Sequence, residues 1–145
     1  TALDMLSEVA DELGSKTVVF IAPPDFPANK ANRQVVRDFL TSVRQKFDRV
    51  VWEAPPTWDP SDALDLALES GAVAARDPLA LGTYKSSFGY YRLPGPAGHK
   101  SRYEDPALEK LAEIVKSAKH ESSVWVFTNV DMFADAKRLK KLLKL

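Results

Sequence analysis

The chain has 145 residues, 45% of them hydrophobic, which is one domain's worth of polypeptide with enough apolar surface for a packed core. Twenty Lys and Arg balance twenty Asp and Glu, which disfavours nucleic acid as the partner of the surface as a whole. Cysteine is absent, which excludes disulfides, thiolate metal sites and cysteine nucleophiles, and no apolar run approaches the roughly 18 residues that span a bilayer. The expectation is a cytoplasmic protein with no membrane attachment. A chain that opens on Thr1 is expected to be processed or to be a piece of something longer.

Taken in order, the chain alternates between helical and extended patterns. Leu3, Leu6, Ala10 and Leu13 predict a helix over 2–13, stopped by Gly14. Residues 17–22 (TVVFIA) are a β-branched and aromatic run, the pattern of a strand buried on both faces. The run 23–27 (PPDFP) must be a rigid loop, because proline fits neither helix interior nor central strand. Asn29 caps a helix over about 30–47, with Val36, Phe39, Leu40, Val43 and Phe47 along one side. Residues 49–53 (RVVWE) form the next strand, broken by Pro55 and Pro56.

Asp59 followed by Pro60 is a strong helix start, and Gly71 ends that helix. A third short strand covers 72–76. After Asp77 and Pro78 only about ten residues precede Phe88, too few for a well-formed crossover helix. Residues 88–93 are the fourth strand, running into a Gly/Pro loop that carries His99, Lys100 and Arg102. Asp105 and Pro106 open a helix to about 119, 123–128 (SVWVFT) is the fifth strand, and Asn129 caps a final helix to 145. No low-complexity tract, repeat or linker divides the chain, so a single α/β domain over 1–145 is expected.

Strands separated by helices imply parallel pairing through right-handed crossovers. Either an open doubly wound sheet or a (β/α) barrel is built this way. A complete barrel takes about 250 residues, so five strands here would be part of one. Spacing alone favours an open five-stranded doubly wound sheet.

Several motifs bear on that choice. An apolar strand ends in Pro23-Pro24-Asp25-Phe26, and a later one ends in Glu53 with Trp58 shortly after. Asp77 follows the third strand. Tyr90, Arg92 and Gly95 form a Tyr-x-Arg-x-x-Gly segment with Tyr103 downstream, and Phe127 and Asn129 precede a helix containing Ala134 and Ala136. In this order and spacing the chain resembles the carboxyl-terminal part of the YecE-like family, also called domain of unknown function 72. The resemblance implies a TIM-barrel-like fold, here a partial barrel of about five parallel βα units. It also implies that the family's opening strands are absent from these residues. Ala54, Pro94 and Thr128 depart from the family, which usually has Arg, His and Asn near those positions.

Glu53, Asp77, Arg92 and Asn129 all fall at predicted carboxyl ends of strands, which a parallel sheet or barrel brings to one face. Two carboxylates, an arginine and an amide there could hold a divalent metal or clamp an anionic small molecule. We assign Glu53, Asp77 and Arg92 as candidate catalytic residues, and Asn129, His99, Lys100 and Tyr103 as candidate substrate-binding residues. Each has a plain structural alternative. Asp77 and Asn129 can be helix caps, Glu53 and Arg92 can be an ion pair, and His99 can be a solvated loop residue. His120 follows a helix and receives no role. The run 95–101 (GPAGHKS) is not a phosphate loop, because Pro94 and His99 stand where glycines are needed. The basic final helix, with Lys137, Arg138, Lys140, Lys141 and Lys144 opposite Leu139, Leu142 and Leu143, reads as a packed outer helix, and the three tryptophans read as core.

Two functions follow. One is a barrel-type hydrolase or isomerase acting on a phosphorylated or sugar-like anionic compound. The other is a non-catalytic module whose open sheet edges are covered by another chain or a second copy. A homo-oligomer or a missing N-terminal segment is the expected partner.

Overall fold

The computed structural model describes residues 1–145, which form two compact units, Thr1–Ala75 and Arg76–Leu145. In the first, Thr1 and Asp4 make a reciprocal capping box that starts α1 (Ala2–Glu12). β1 (Thr17–Ile21) follows, then α2 (Lys30–Val43), where the Asn29 side chain accepts from the Asn32 N–H as expected. β2 (Arg49–Glu53) leads to α3 (Pro60–Glu69), whose Asp59 cap and first-turn Pro60 are also as expected. Gly71, at φ +77°, turns the chain into β3, reduced to Val73–Ala74.

The three strands form a parallel sheet in the order β1-β2-β3, with Thr17 opposite Arg49 and Ile21 opposite Glu53. Its core is built from Val36, Leu40 and Val43 of α2, Val50 and Trp52 of β2, and Leu66 and Ala67 of α3. Trp58 joins this core: it meets Trp52 edge-on at 4.9 Å, and its indole N–H donates to the Phe26 carbonyl at 2.7 Å. The tryptophan reading therefore holds in this unit. The reading of β1 as buried on both faces does not. β1 is an edge strand in which only Val18 is fully buried, and Ile21 is 65% exposed. A continuous apolar run records residue type, not which neighbours are present.

In the second unit Asp77 caps a single helical turn, α4 (Pro78–Leu81), where its Oδ1 accepts the Leu79 N–H at 2.9 Å. β4 (Phe88–Leu93), α5 (Asp105–Ser117), β5 (Ser122–Phe127) and α6 (Met132–Leu143) complete the unit. β4 and β5 pair in parallel from Phe88 opposite Ser122 to Leu93 opposite Phe127. Arg76 makes a further parallel bridge to Tyr91. Leu93, Tyr103, Leu108, Leu111, Phe127 and Leu139 form this unit's core. The chain is thus α/β with five parallel strands, as expected, placed in one three-stranded and one two-stranded sheet, neither of them closed. No helix is long and apolar enough to cross a membrane.

Candidate functional site

The loop that leaves β4 is built around Gly95. Its φ is +101°, and a Cβ there would lie 2.4 Å from the Gly98 carbonyl oxygen and 2.5 Å from Ser101 Oγ, so only glycine fits. The loop closes on itself. Ser101 Oγ donates to the Gly98 carbonyl at 2.6 Å and accepts from the Ala97 N–H at 3.0 Å. The Gly95 N–H donates to the hydroxyl of Tyr103, whose ring is fully buried.

A second layer of bonds holds the loop from Asn129, just after β5, and from α6. Asn129 is only 2% exposed, and its amide nitrogen donates to the Ser101 carbonyl at 3.0 Å and to Asp135 Oδ2 at 2.8 Å. The same Asp135 oxygen accepts the Tyr103 N–H at 3.1 Å, and its other oxygen accepts Arg138 Nη1 at 2.9 Å. Arg138 also donates to the Tyr103 carbonyl at 2.7 Å and pairs with Asp105. Both backbone polar groups of Tyr103 are therefore taken by α6 side chains. Desolvation, reinforced by the charges of Asp77 and Asp135, pushes the Tyr103 hydroxyl's pKa up, which keeps it a neutral acceptor for Gly95. The hydrogen bond to Asp105 holds the Arg138 guanidinium above its usual range. Asn129 Oδ1 is a buried side-chain oxygen with no partner.

This network corrects one expectation: Asn129 does not cap the last helix. Asp131 occupies the N-cap position without a side-chain capping bond, and the Asn129 amide nitrogen is spent on the Ser101 carbonyl and the Asp135 carboxylate. Asp135 and Arg138 were missed by sequence reasoning. The available signal was the phase of Asp135, four residues before Leu139 and so on the buried stripe of α6.

The remaining candidates are placed as follows. Asp77 and Arg92 come one step after the bridged pair Arg76 and Tyr91, so they occupy neighbouring register positions at the strand ends, and the Arg92 N–H donates to the Arg76 carbonyl. Arg92 is half-buried. His99 and Lys100 stand exposed on the loop, while Arg102 lies 3.8 Å from both Glu104 and Asp131. Glu53 ends β2 in the first unit and is half-buried. No three His, Asp or Glu side chains converge in a group that could hold a metal ion.

At the other end of β4 lies a second polar cluster. His120 Nδ1 is 2.7 Å from the Ser86 carbonyl, which can only accept, so that nitrogen carries the proton. Nε2, 2.7 Å from the Tyr91 hydroxyl, then accepts from it. Trp125 stacks on Tyr91 with ring centroids 4.3 Å apart. Gly89 makes room for the imidazole, since a Cβ there would lie 2.5 Å from Nε2. Burial pushes the Tyr84 and Tyr91 hydroxyls up, as fits an enclosed structural cluster.

No family profile matches the sequence, and no curated protein matches it. Two solved structures share the fold. A DUF72 family protein from Enterococcus faecalis V583 superposes with a TM-score of 0.74 at 15% identity, over 99% of this chain and 64% of that one. A DUF72 family protein from Thermotoga maritima MSB8 gives 0.71 at 16% identity, over 99% of this chain and 65% of that one. The chain thus spans less than two thirds of each matched structure, and across nearly all of its own length it has the α/β fold of DUF72 family proteins.

Proposed function

We propose that the second unit binds an anionic small molecule, phosphorylated or sugar-like, beside the loop 94–103. The observation that carries this reading is the rigidity of that loop. Tyr103, Asn129 and Asp135 fix its backbone from below with buried hydrogen bonds, while His99 and Lys100 are presented outward with no ion-pair partner. A loop already held in one conformation loses little entropy when it binds, so modest point charges can give measurable affinity. Arg102 is shared between Glu104 and Asp131, which leaves Lys100 as the cation to which an incoming anion adds charge most favourably.

On this reading the βα units are part of a TIM-barrel-like fold, where the carboxyl ends of strands carry the chemistry. Arg92 positions the anionic group, and the Asp77 carboxylate acts as the proton acceptor in a hydrolysis or isomerisation. Glu53 is the first unit's candidate carboxylate. The absence of cysteine supports a cytoplasmic setting. The test is calorimetric titration of the chain with inorganic phosphate and with glucose 6-phosphate. Binding of the sugar phosphate that is weakened in Lys100→Ala at unchanged melting temperature supports the reading. Equal heats from wild type and variant would sink it.

A further inference from the structure

The chain's net charge of zero is unevenly divided. Thr1–Ala75 carries seven Lys and Arg against twelve Asp and Glu, and Arg76–Leu145 carries thirteen against eight. One unit is therefore acidic and the other basic. In each, unpaired charges of the surplus sign lie beside exposed apolar side chains on a single helix.

In the first unit that helix is α1. Leu3, Leu6 and Ala10 pack on the core, while Met5, Val9 and Leu13 form a second stripe that is 68%, 54% and 76% exposed. Helical phase sets Glu8 and Glu12 beside Met5 and Val9 on this outer face, and both are exposed. Asp4 is already taken by Thr1 and Lys46.

In the second unit the helix is α6. Asp135 and Leu139 turn inward, and the outer face carries Phe133, 78% exposed, followed by exposed Lys137, Lys140, Lys141 and Lys144. Arg138 is held by Asp105 and Asp135, but these four lysines have no ion-pair partner, and neither do Glu8 and Glu12.

A solvated charged face on one helix is ordinary. Here the two faces complement each other in charge and spacing, and both are left exposed by the chain itself. Let the helices lie side by side, running the same way, with Met5 opposite Phe133. Glu8 then meets Lys137 and, one turn further on, Glu12 meets Lys140.

We infer that α1 of one copy docks on α6 of a second copy, burying Met5 and Val9 against Phe133 and pairing Glu8 and Glu12 with the lysines. The contact is heterologous, because two different faces meet. With 11 residues, α1 is only about 16 Å long. Such a contact buries less than the ~1,600 Å² of a standard interface, so association is weak and grows with protein concentration. The inference is independent of the anion site and uses helix faces, not the sheet edges.

The experiment is sedimentation over a concentration series, with melting temperatures recorded for every variant. The wild type should gain average mass as concentration rises, and should lose that gain in 1 M salt, where the screening length is about 3 Å. The double variants Glu8→Lys/Glu12→Lys and Lys137→Glu/Lys140→Glu should each stay monomeric while still folded, since each presents like charges on both faces. An equal mixture of the two should associate again, because the reversed faces then match across copies. A wild type that is monomeric at every concentration overturns the inference. So does association that survives either reversal, or a mixture that stays monomeric.

Discussion

Asp135 is the residue on which the loop's rigidity most depends, and removing its carboxylate tests that dependence. In Asp135→Ala the Tyr103 N–H and one Asn129 N–H lose their acceptor inside a fully buried site. Each stranded donor costs about 1–3 kcal/mol, so the variant should be less stable by about 2–6 kcal/mol. Arg138 adds less than a buried partner would, because it is partly exposed and keeps its bond to Asp105. Asp135→Asn separates the two effects. Its one carbonyl oxygen can still serve both backbone and amide donors, but its NH2 then faces the Arg138 guanidinium, two donors together. That variant should lose about 1 kcal/mol, since the broken ion pair is partly solvated. Urea denaturation gives both numbers, and hydrogen exchange over 94–103 should show the loop opening in the Ala variant before the rest of the unit. If Asp135→Ala matched the wild type in urea and in loop exchange, the bonds described here would not be what holds the loop.

Other outcomes follow from the same geometry. Gly89→Ala should push His120 off the Tyr91 hydroxyl and cost about 1–3 kcal/mol, as overpacking does. Adding His120→Ala should recover part of that loss in the same urea assay. Tyr84, Tyr91 and Tyr103 all have hydroxyls whose pKa is raised in the folded state, so the unfolded chain ionises first. Their contribution is complete below the unfolded value of about 10 and is lost as pH rises through the folded values. Urea midpoints measured on either side of pH ~10 should therefore fall with alkalinity, and less steeply in Tyr91→Phe. Gly95→Ala should destabilise the unit and raise exchange in the loop, because the new Cβ meets the Gly98 carbonyl at a strained φ.

Local signals in the sequence placed most of the elements. Asp59-Pro60 and Asn29 name their helices by chemistry that acts within three residues, and β2 and β4 have the predicted bounds because their apolar runs end at prolines or glycines. β3 shrank to Val73–Ala74 for a reason that lies elsewhere: only two of its residues find partners on β2. The site was legible as a place, the loop after the fourth strand, but not as a mechanism of support. Asp135 and Arg138 reach Tyr103 across 32 and 35 residues, and an aspartate in a lysine-rich helix reads as solvated unless its phase against Leu139 is checked. His120 was unreadable for a similar reason. Its partners, Ser86 and Tyr91, belong to a turn and a strand about 30 residues earlier.

The central claim is that a loop fixed from beneath presents Lys100 and His99 to an anion. Its most direct test is calorimetric titration of glucose 6-phosphate into wild type, Lys100→Ala and the double variant His99→Ala/Lys100→Ala, with melting temperatures recorded for all three. The account predicts saturable binding to the wild type, weaker binding to the single variant and none to the double variant, with the three melting temperatures equal because both side chains are exposed. Binding that survives the double substitution unchanged would contradict it.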